Sequence, residues 1–215
     1  MKKKKLLRRK RIRHTLRKRP PKRARRTEKR SKSPGPDKSE EILCAGFGGQ
    51  GILFMGKLLA QAGLIDSMRV TWMPSYGAEV RGGTAHSMTR ISTKEIPNPV
   101  ITRPTICIVM NKPSLVKFID TVKEGGFLLV NKTLVGAFPK RKDLSTISLP
   151  LTDMASKIGN IKAANMVAIG ALIKKTRLFS MKTVLAALAC LLKDKGDDFL
   201  AINKKALEAG FRGVK

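Results

Sequence analysis

The chain has 215 residues and a mass of 23.7 kDa, which allows one ordinary domain with an appendage but hardly two full domains. Its 45 Lys and Arg outnumber 15 Asp and Glu, and the resulting net charge of +30 suggests by itself a binder of nucleic acid or of an anionic membrane. The longest apolar stretches fall far short of the ~18 residues that a membrane-spanning helix needs, so we expect no membrane protein.

The positive charge is concentrated at the amino terminus. Residues 1–41 hold 20 Lys and Arg and 4 Asp and Glu, a net charge of +16, and residues 42–215 carry the remaining +14. The first segment has few apolar side chains, and their burial cannot offset the entropy cost of ordering the backbone, roughly 1–2 kcal/mol per residue. We therefore predict a disordered basic extension, residues 1–39, and one globular domain, residues 40–215. The extension could bind phosphate backbones through counterion release, or be a solvated tail or an untranslated stretch.

The globular part begins with a strand over 42–45, a glycine turn over 46–51 and an amphipathic helix over 52–64. The segments after it alternate between predicted strands and predicted helices, which indicates a layered α/β domain with a mainly parallel sheet. The further strands are predicted at 70–73 (ended by Pro74), 86–91, 105–110, 127–130 and 146–149, and the further helices at 113–122, 162–174, 181–192 (capped by Ser180) and about 198–209.

The glycine turn is the strongest local signal for a ligand. It contains Gly46, Phe47, Gly48, Gly49, Gln50 and Gly51. Glycines allow a tight turn and a close backbone approach, and the helix that follows directs unpaired N–H groups at an anion, so a phosphate or diphosphate is the natural ligand. The alternative is a turn that needs glycine only to pack the helix on the strand. NAD binding is disfavoured because the second strand ends in Met73-Pro74-Ser75, without the acidic residue that holds a ribose, and no Walker motif is present.

Four more side chains are candidates for ligand contacts. Arg81 lies beside two glycines and could bind phosphate, and Tyr76 in the same loop could stack or donate a hydrogen bond. Asn131 follows a strand and Asn165 begins a helix, where each could offer an amide to a ligand. A surface role for Arg81 and a capping or turn role for the asparagines remain open alternatives, and the same holds for Asn111.

The three cysteines, Cys44, Cys107 and Cys190, stand far apart in apolar runs, which fits neither a disulfide framework nor a metal site. Any iron–sulfur cluster or structural zinc would therefore belong to another chain. No apolar segment of a signal peptide follows the basic start, so we expect a cytoplasmic protein. We also find no catalytic triad or pair of acids, which indicates a binding partner in chemistry that takes place elsewhere.

Five segments in this order and spacing resemble the gamma subunit, or gamma domain, of 2-oxoacid:ferredoxin oxidoreductases. They are CAGFGGQGILFMGKLLAQAG, VTWMPSYGAEVRGGTAHSMTRIS, IVMNKPSLVKF, GGFLLVN and NIKAANMVAIGAL, and the resemblance extends over about residues 40–212. The second segment is closer to the 2-oxoglutarate and ketoisovalerate types than to the pyruvate type. The basic extension has no counterpart in this family.

The resemblance implies a three-layer α/β/α sandwich and a hetero-oligomer with alpha, beta and delta subunits. Enzymes of this family oxidise a 2-oxoacid on thiamine diphosphate, pass electrons through [4Fe–4S] clusters to ferredoxin, and release acyl-coenzyme A. Thiamine diphosphate and the clusters belong to the partner chains. The gamma domain is associated with coenzyme A, so Gly46–Gly51, Tyr76, Arg81, Asn131 and Asn165 become candidates for contacting it, with no catalytic residue on this chain.

Two other functions remain as alternatives to this subunit. A polyanion- or nucleic-acid-binding protein would use the basic extension, with the α/β domain as a scaffold. A nucleotide-dependent reductase is a weaker alternative, because of the missing acid after Met73.

Overall fold

The computed structural model describes residues 38–75, 84–138 and 141–214, so the extension up to residue 37 and the residues Tyr76 and Arg81 lie outside the described part. The described chain contains six strands and seven α-helices. The strands are β1 (Ser39–Gly46), β2 (Arg69–Ser75), β3 (Ala85–Ser92), β4 (Ile106–Val109), β5 (Phe127–Asn131) and β6 (Ser145–Leu149). The helices are α1 (Ile52–Ile65), α2 (Lys112–Phe118), α3 (Lys132–Val135), α4 (Leu151–Lys157), α5 (Ala164–Thr176), α6 (Met181–Leu192) and α7 (Asp197–Gly213). Two 3₁₀ turns, Ile119–Thr121 and Ile161–Ala163, follow α2 and precede α5.

All six strands form one sheet in the order β2-β3-β1-β4-β5-β6. Strands β1, β4, β5 and β6 pair in parallel, whereas β3 is antiparallel to both β1 and β2. Five of the six strands therefore run in the same direction, and the predicted mainly parallel sheet is confirmed.

Alternate residues of the central strands face two separate hydrophobic clusters. Ile42 and Cys44 of β1 belong to a large cluster with α1, α5, α6 and α7, and Leu43 and Ala45 belong to a smaller one with α2. These side chains are all buried, as is typical of a parallel sheet with helices on both faces. The expected three-layer α/β/α arrangement is therefore present.

Helices α5 and α7 pack unusually closely in the larger layer. A Cβ atom at Gly170 would lie 2.0 Å from the carbonyl oxygen of Leu207, and one at Gly210 would lie 1.9 Å from the carbonyl oxygen of Val167. Only glycine fits at these two positions. The contact fixes the carboxyl-terminal helix against α5, whose first residues line the candidate site described below.

The structure differs from the sequence prediction in three elements. Strand β2 does not stop before Pro74 but continues to Ser75, because β2 is at the edge of the sheet and a proline there removes no ladder hydrogen bond. The sequence does not predict helices α3 and α4, since both are short and no side-chain cap in the described chain marks the start of either one. The predicted helix cap at Ser180 is confirmed, because Ser180 Oγ accepts a 3.0 Å hydrogen bond from the backbone N–H of Thr183. Among the described helices, none is long and apolar enough to cross a membrane.

Candidate functional site

The sheet has a topological switch point between its neighbouring strands β1 and β4. The chain leaves β1 through α1, on the face of the larger cluster, and leaves β4 through α2, on the opposite face. Connections that diverge in this way leave a crevice beyond the carboxyl ends of the two strands, where open α/β sheets bind their ligands. The glycine loop, residues 46–51, lies at this crevice because it connects β1 directly to α1.

The glycine loop is closed by hydrogen bonds between its own residues. The Oε1 atom of Gln50 accepts a 2.7 Å hydrogen bond from the backbone N–H of Phe47, and the N–H of Gln50 donates to the carbonyl oxygen of Phe47 at 3.2 Å. Phe47, Gly48 and Gly49 are exposed at the tip, and Gly46 is buried at the base. The loop therefore has a defined conformation, and its glycine-rich tip is open to a ligand.

Helix α1 begins at this loop with its amino end unoccupied by side chains. Gly51, at the N-cap, is in the left-handed conformation with φ of 70°. In the described chain no side chain caps α1, and no acidic residue occupies its first turn. The first N–H groups of a helix have no intrahelical partner and carry partial positive charge, so this end of α1 favours an anion.

Asn131 lies at the same edge of the sheet but is buried within the protein. Its Nδ2 donates to the carbonyl oxygen of Met110 at 3.2 Å and to Thr152 Oγ1 at 2.8 Å, and its Oδ1 accepts from the N–H of Thr152 at 3.3 Å. The side chain is 0% exposed. Asn131 thus joins the ends of β4 and β5 to the first turn of α4, and it supports the floor of the crevice.

Asn165 lies directly beneath the start of α1. Its Nδ2 approaches the carbonyl oxygen of Gly51 at 3.5 Å, and its Oδ1 accepts a 2.8 Å hydrogen bond from the N–H of Met166. A Cβ atom at position 51 would lie only 2.1 Å from this Nδ2. Gly51 is therefore required both by its left-handed backbone and by the close approach of Asn165.

Two cavities flank the glycine loop. The smaller one, of about 240 Å³, lies beside Gly49 and Gln50 and has apolar walls from Met110, Leu134 and Ile161. The larger cavity, of about 420 Å³, lies beside the start of α1. Besides Gly51 and Asn165 it is lined by the lysines Lys57, Lys162 and Lys195, and by the apolar residues Phe54, Ala163, Leu191, Leu192 and Phe199, with Asn160 and Asn203. Lys162 lines both cavities.

The structure thus brings Gly46–Gly51, Asn131 and Asn165 to one edge of the sheet, whereas Tyr76 and Arg81 lie outside the described residues. The three lysines of the larger cavity were not predicted from the sequence. They come from α1, the 3₁₀ turn before α5 and the segment after α6, and nothing in the sequence indicated that these elements meet. Met110 was also missed as a wall of the smaller cavity, because it reads as an ordinary core residue.

The arrangement of the strands disfavours a nicotinamide cofactor further. In a dinucleotide-binding fold the acidic residue that holds the ribose ends the strand next to β1. Here β3 lies between β1 and β2 and runs in the opposite direction, so the end of β2 is two strand spacings, about 10 Å, away from β1. A ribose on the glycine loop would therefore be out of reach of a residue that follows Met73.

The cysteine thiols of the sheet contribute no chemistry to the site. Cys44 and Cys107 are fully buried, and burial raises the pKa of Cys44 to about 12 and that of Cys107 further. Both thiols therefore stay protonated at neutral pH, which makes them poor nucleophiles and poor metal ligands. Within the described residues, no group of three or more His, Cys, Asp or Glu side chains could hold a metal ion.

The similarity of this chain to known proteins is consistent with the geometry of the site. Residues 41–213 match the family described as Pyruvate ferredoxin/flavodoxin oxidoreductase. The chain is 36% identical over 171 residues to the ketoisovalerate oxidoreductase subunit VorA of Methanothermobacter marburgensis, a match of 79% of this chain and 35% of VorA. It is 36% identical over 150 residues to the 2-oxoglutarate synthase subunit KorC of the same organism, a match of 66% of this chain and 81% of KorC.

Two solved structures share the fold. The gamma subunit of a keto/oxoacid ferredoxin oxidoreductase from Geobacter sulfurreducens superposes with a TM-score of 0.70 at 29% identity, over 80% of this chain and 96% of that one. The 2-oxoglutarate:ferredoxin oxidoreductase from Magnetococcus marinus superposes with a TM-score of 0.74 at 24% identity, over 81% of this chain and 31% of that one.

The domain therefore has the α/β fold of an oxidoreductase gamma subunit, as its motifs indicated. The chain belongs to the pyruvate ferredoxin/flavodoxin oxidoreductase family. It spans about a third of the length of VorA but most of the length of KorC and of the Geobacter gamma subunit.

Proposed function

We propose that this chain is the gamma subunit, or gamma domain, of a 2-oxoacid:ferredoxin oxidoreductase and that it binds coenzyme A at the carboxyl edge of its sheet. The observation that carries the proposal is the glycine loop at the switch point, followed by the uncapped start of α1 and flanked by two cavities. A diphosphate with a different group attached at each end suits such a surface. The Magnetococcus enzyme, which has the same fold in this region, is described with coenzyme A and succinyl-CoA bound.

The residues present fit the parts of coenzyme A. Backbone N–H groups at the loop tip and at the start of α1 are suited to donate hydrogen bonds to the oxygen atoms of the diphosphate. The smaller cavity, with Met110, Leu134 and Ile161, offers apolar walls to the pantetheine arm. The +14 charge of residues 42–215 further favours a polyanionic cofactor over a neutral one.

The contribution of this chain to the reaction is to bind and orient. Holding the nucleotide end of coenzyme A fixes where its thiol can reach, so the second substrate arrives at the reacting centre in a defined geometry. Thiamine diphosphate and [4Fe–4S] clusters in partner subunits would supply the decarboxylation and electron-transfer chemistry. Asn131 and Gln50 keep the crevice in shape, since their hydrogen bonds fix the strand ends and the loop.

Purification of the tagged full-length chain with its bound subunits tests the proposal. We expect the complex to contain a thiamine-diphosphate-binding chain and an iron–sulfur chain, and to reduce viologen when both a 2-oxoacid and coenzyme A are present. Comparison of 2-oxoglutarate, 3-methyl-2-oxobutanoate and pyruvate would identify the substrate. The isolated chain should turn over none of them. A complex whose 2-oxoacid oxidation is independent of coenzyme A would contradict the proposal.

A further inference from the structure

The larger cavity beside the glycine loop has an unusual concentration of positive charge. Lys57, Lys162 and Lys195 line it, and no Asp or Glu of the described residues does. Among the described residues, none of these three lysines forms an ion pair. Three like charges around one cavity repel one another unless an anion lies between them, so this arrangement favours an anionic ligand.

The same cavity has an aromatic and apolar side. Phe54 on α1 and Phe199 on α7 line it together with Leu191 at the end of α6, and Phe199 is 44% exposed. Phe199 has an exposed ring and Phe54 a partly buried one. Aromatic rings next to lysines are suited to a ligand that combines a planar base with phosphate groups, because the base can stack while the phosphates meet the cations. A simple inorganic anion would leave the aromatic side unused.

The cavity and the glycine loop form a continuous surface along α1. Gly51, Phe54 and Lys57 are spaced by three residues, so each lies next to the one before it on the helix surface, and all three line the cavity. Lys57 is six residues beyond Gly51, about 9 Å along the helix axis. A diphosphate at the start of α1 would thus place the adjoining ribose over Phe54 and a phosphate on that ribose within reach of Lys57.

We propose that this lysine cavity, defined by Lys57, Lys162, Lys195, Phe54 and Phe199, binds the 3′-phosphoadenosine end of coenzyme A and selects for its 3′-phosphate. The inference rests on the proposed coenzyme A function and assigns its specificity. Phe54 lies under the ribose, Phe199 contacts the adenine, and Lys57 and Lys195 contact the 3′-phosphate. Lys162, which lines both cavities, is placed to contact the diphosphate between them.

Calorimetric titration of the full-length chain with coenzyme A and with dephospho-coenzyme A, at about 0.15 M salt, tests the proposal. These two ligands differ only in the 3′-phosphate. We expect the wild-type chain to bind coenzyme A about tenfold more tightly, as is typical of a charge-assisted phosphate contact. Lys57→Ala and Lys195→Ala should each weaken coenzyme A binding several-fold and leave dephospho-coenzyme A binding unchanged.

Lys182→Ala is the matched control, because Lys182 is an exposed lysine at the opposite end of α6 from Leu191. It should leave the preference for coenzyme A intact. All variants share the basic extension, so any attraction of the ligand to that segment is the same in each of them and does not change the comparison. If Lys57→Ala and Lys195→Ala weaken both ligands equally, or neither, the lysine cavity does not read the 3′-phosphate and the proposal is wrong, whereas the coenzyme A function stands. If the wild-type chain and its complex bind neither ligand, the proposed function itself fails.

Discussion

Gln50 Oε1 accepts a 2.7 Å hydrogen bond from the backbone N–H of Phe47, and this bond closes the glycine loop on itself. The side chain thus sets the conformation of a loop whose exposed tip consists of Phe47, Gly48 and Gly49. Because the acceptor is an oxygen, a carboxylate at the same position could keep the bond while adding a negative charge. This relationship allows the shape of the loop and its affinity for anions to be tested separately.

Gln50→Glu should keep the fold and weaken coenzyme A binding. The introduced carboxylate can still accept from the N–H of Phe47, so we expect the melting temperature to stay close to that of the wild type. The added charge beside the start of α1 repels a diphosphate, and we expect the apparent coenzyme A requirement to rise by about tenfold or more. The measurement is viologen reduction by the assembled enzyme as a function of coenzyme A. An unchanged requirement would mean that the diphosphate does not lie on this loop.

Gly49→Ala separates backbone strain from loss of ligand contact. Gly49 has φ of +86°, and a Cβ atom there would meet no atom of the described residues within 4 Å. Gly125 has φ of +76° and equally open surroundings, but it lies at the opposite edge of the sheet and is the control. Both substitutions should lower the free energy of unfolding by about 1–2 kcal/mol through strain. Only Gly49→Ala should also weaken coenzyme A binding. Equal binding by the two variants would exclude a ligand at the loop tip.

Asn131→Ala should destabilise the protein, because the asparagine amide makes three hydrogen bonds in the core of the carboxyl edge. Its removal leaves the carbonyl of Met110 without this donor, and we expect a loss of about 2–3 kcal/mol in the free energy of unfolding. Thr152→Val should cost less, and the double variant should cost less than the sum of the two, since both share one interaction. Urea unfolding measures all three. A stable Asn131→Ala variant with an increased coenzyme A requirement would instead make Asn131 a direct ligand contact.

The three cysteines should differ sharply in reactivity. Cys190 is exposed, whereas Cys44 and Cys107 are buried with raised pKa values. A disulfide reagent at pH 8 should therefore label one thiol per native chain and three per unfolded chain. The raised pKa values also predict that stability falls as pH rises above about 9, because the unfolded state then loses thiol protons that the folded state retains. Cys44→Ala should reduce this alkaline loss. Rapid labelling of all three thiols in the native protein would contradict the buried positions.

The sequence predicted most of the fold because its main signals are local. Apolar runs indicated five of the six strands within one or two residues, and Ser180 marked the start of α6. The antiparallel insertion of β3 between β1 and β2 could not be predicted in this way, since nothing within a strand states which neighbour it pairs with. The continuation of β2 through Pro74 depends on the same information, because only an edge strand tolerates it.

The contiguous part of the candidate site was the part that the sequence indicated most clearly. The glycine loop was recognisable because all its features lie within residues 46–52: the turn, the N–H groups available to a ligand and the start of the helix. The lysine cavity was not, because Lys57 and Lys195 are 138 positions apart and meet only through the packing of α1, α6 and α7. For Asn131 the sequence indicated the position at the strand end, but its hydrogen-bonding partner Thr152 lies in α4, a short helix with no side-chain cap among the described residues to mark its start.

Hydrogen–deuterium exchange of the full-length chain with and without coenzyme A tests whether coenzyme A binds at the switch point, because it locates the ligand on the chain without a substitution. We predict that coenzyme A slows exchange in peptides from residues 46–57 and 160–165. Peptides from residues 123–127, at the opposite edge of the sheet, should be unaffected and serve as the internal control. Protection confined to the basic extension or to the opposite edge, with none at the glycine loop, would contradict coenzyme A binding at the switch point.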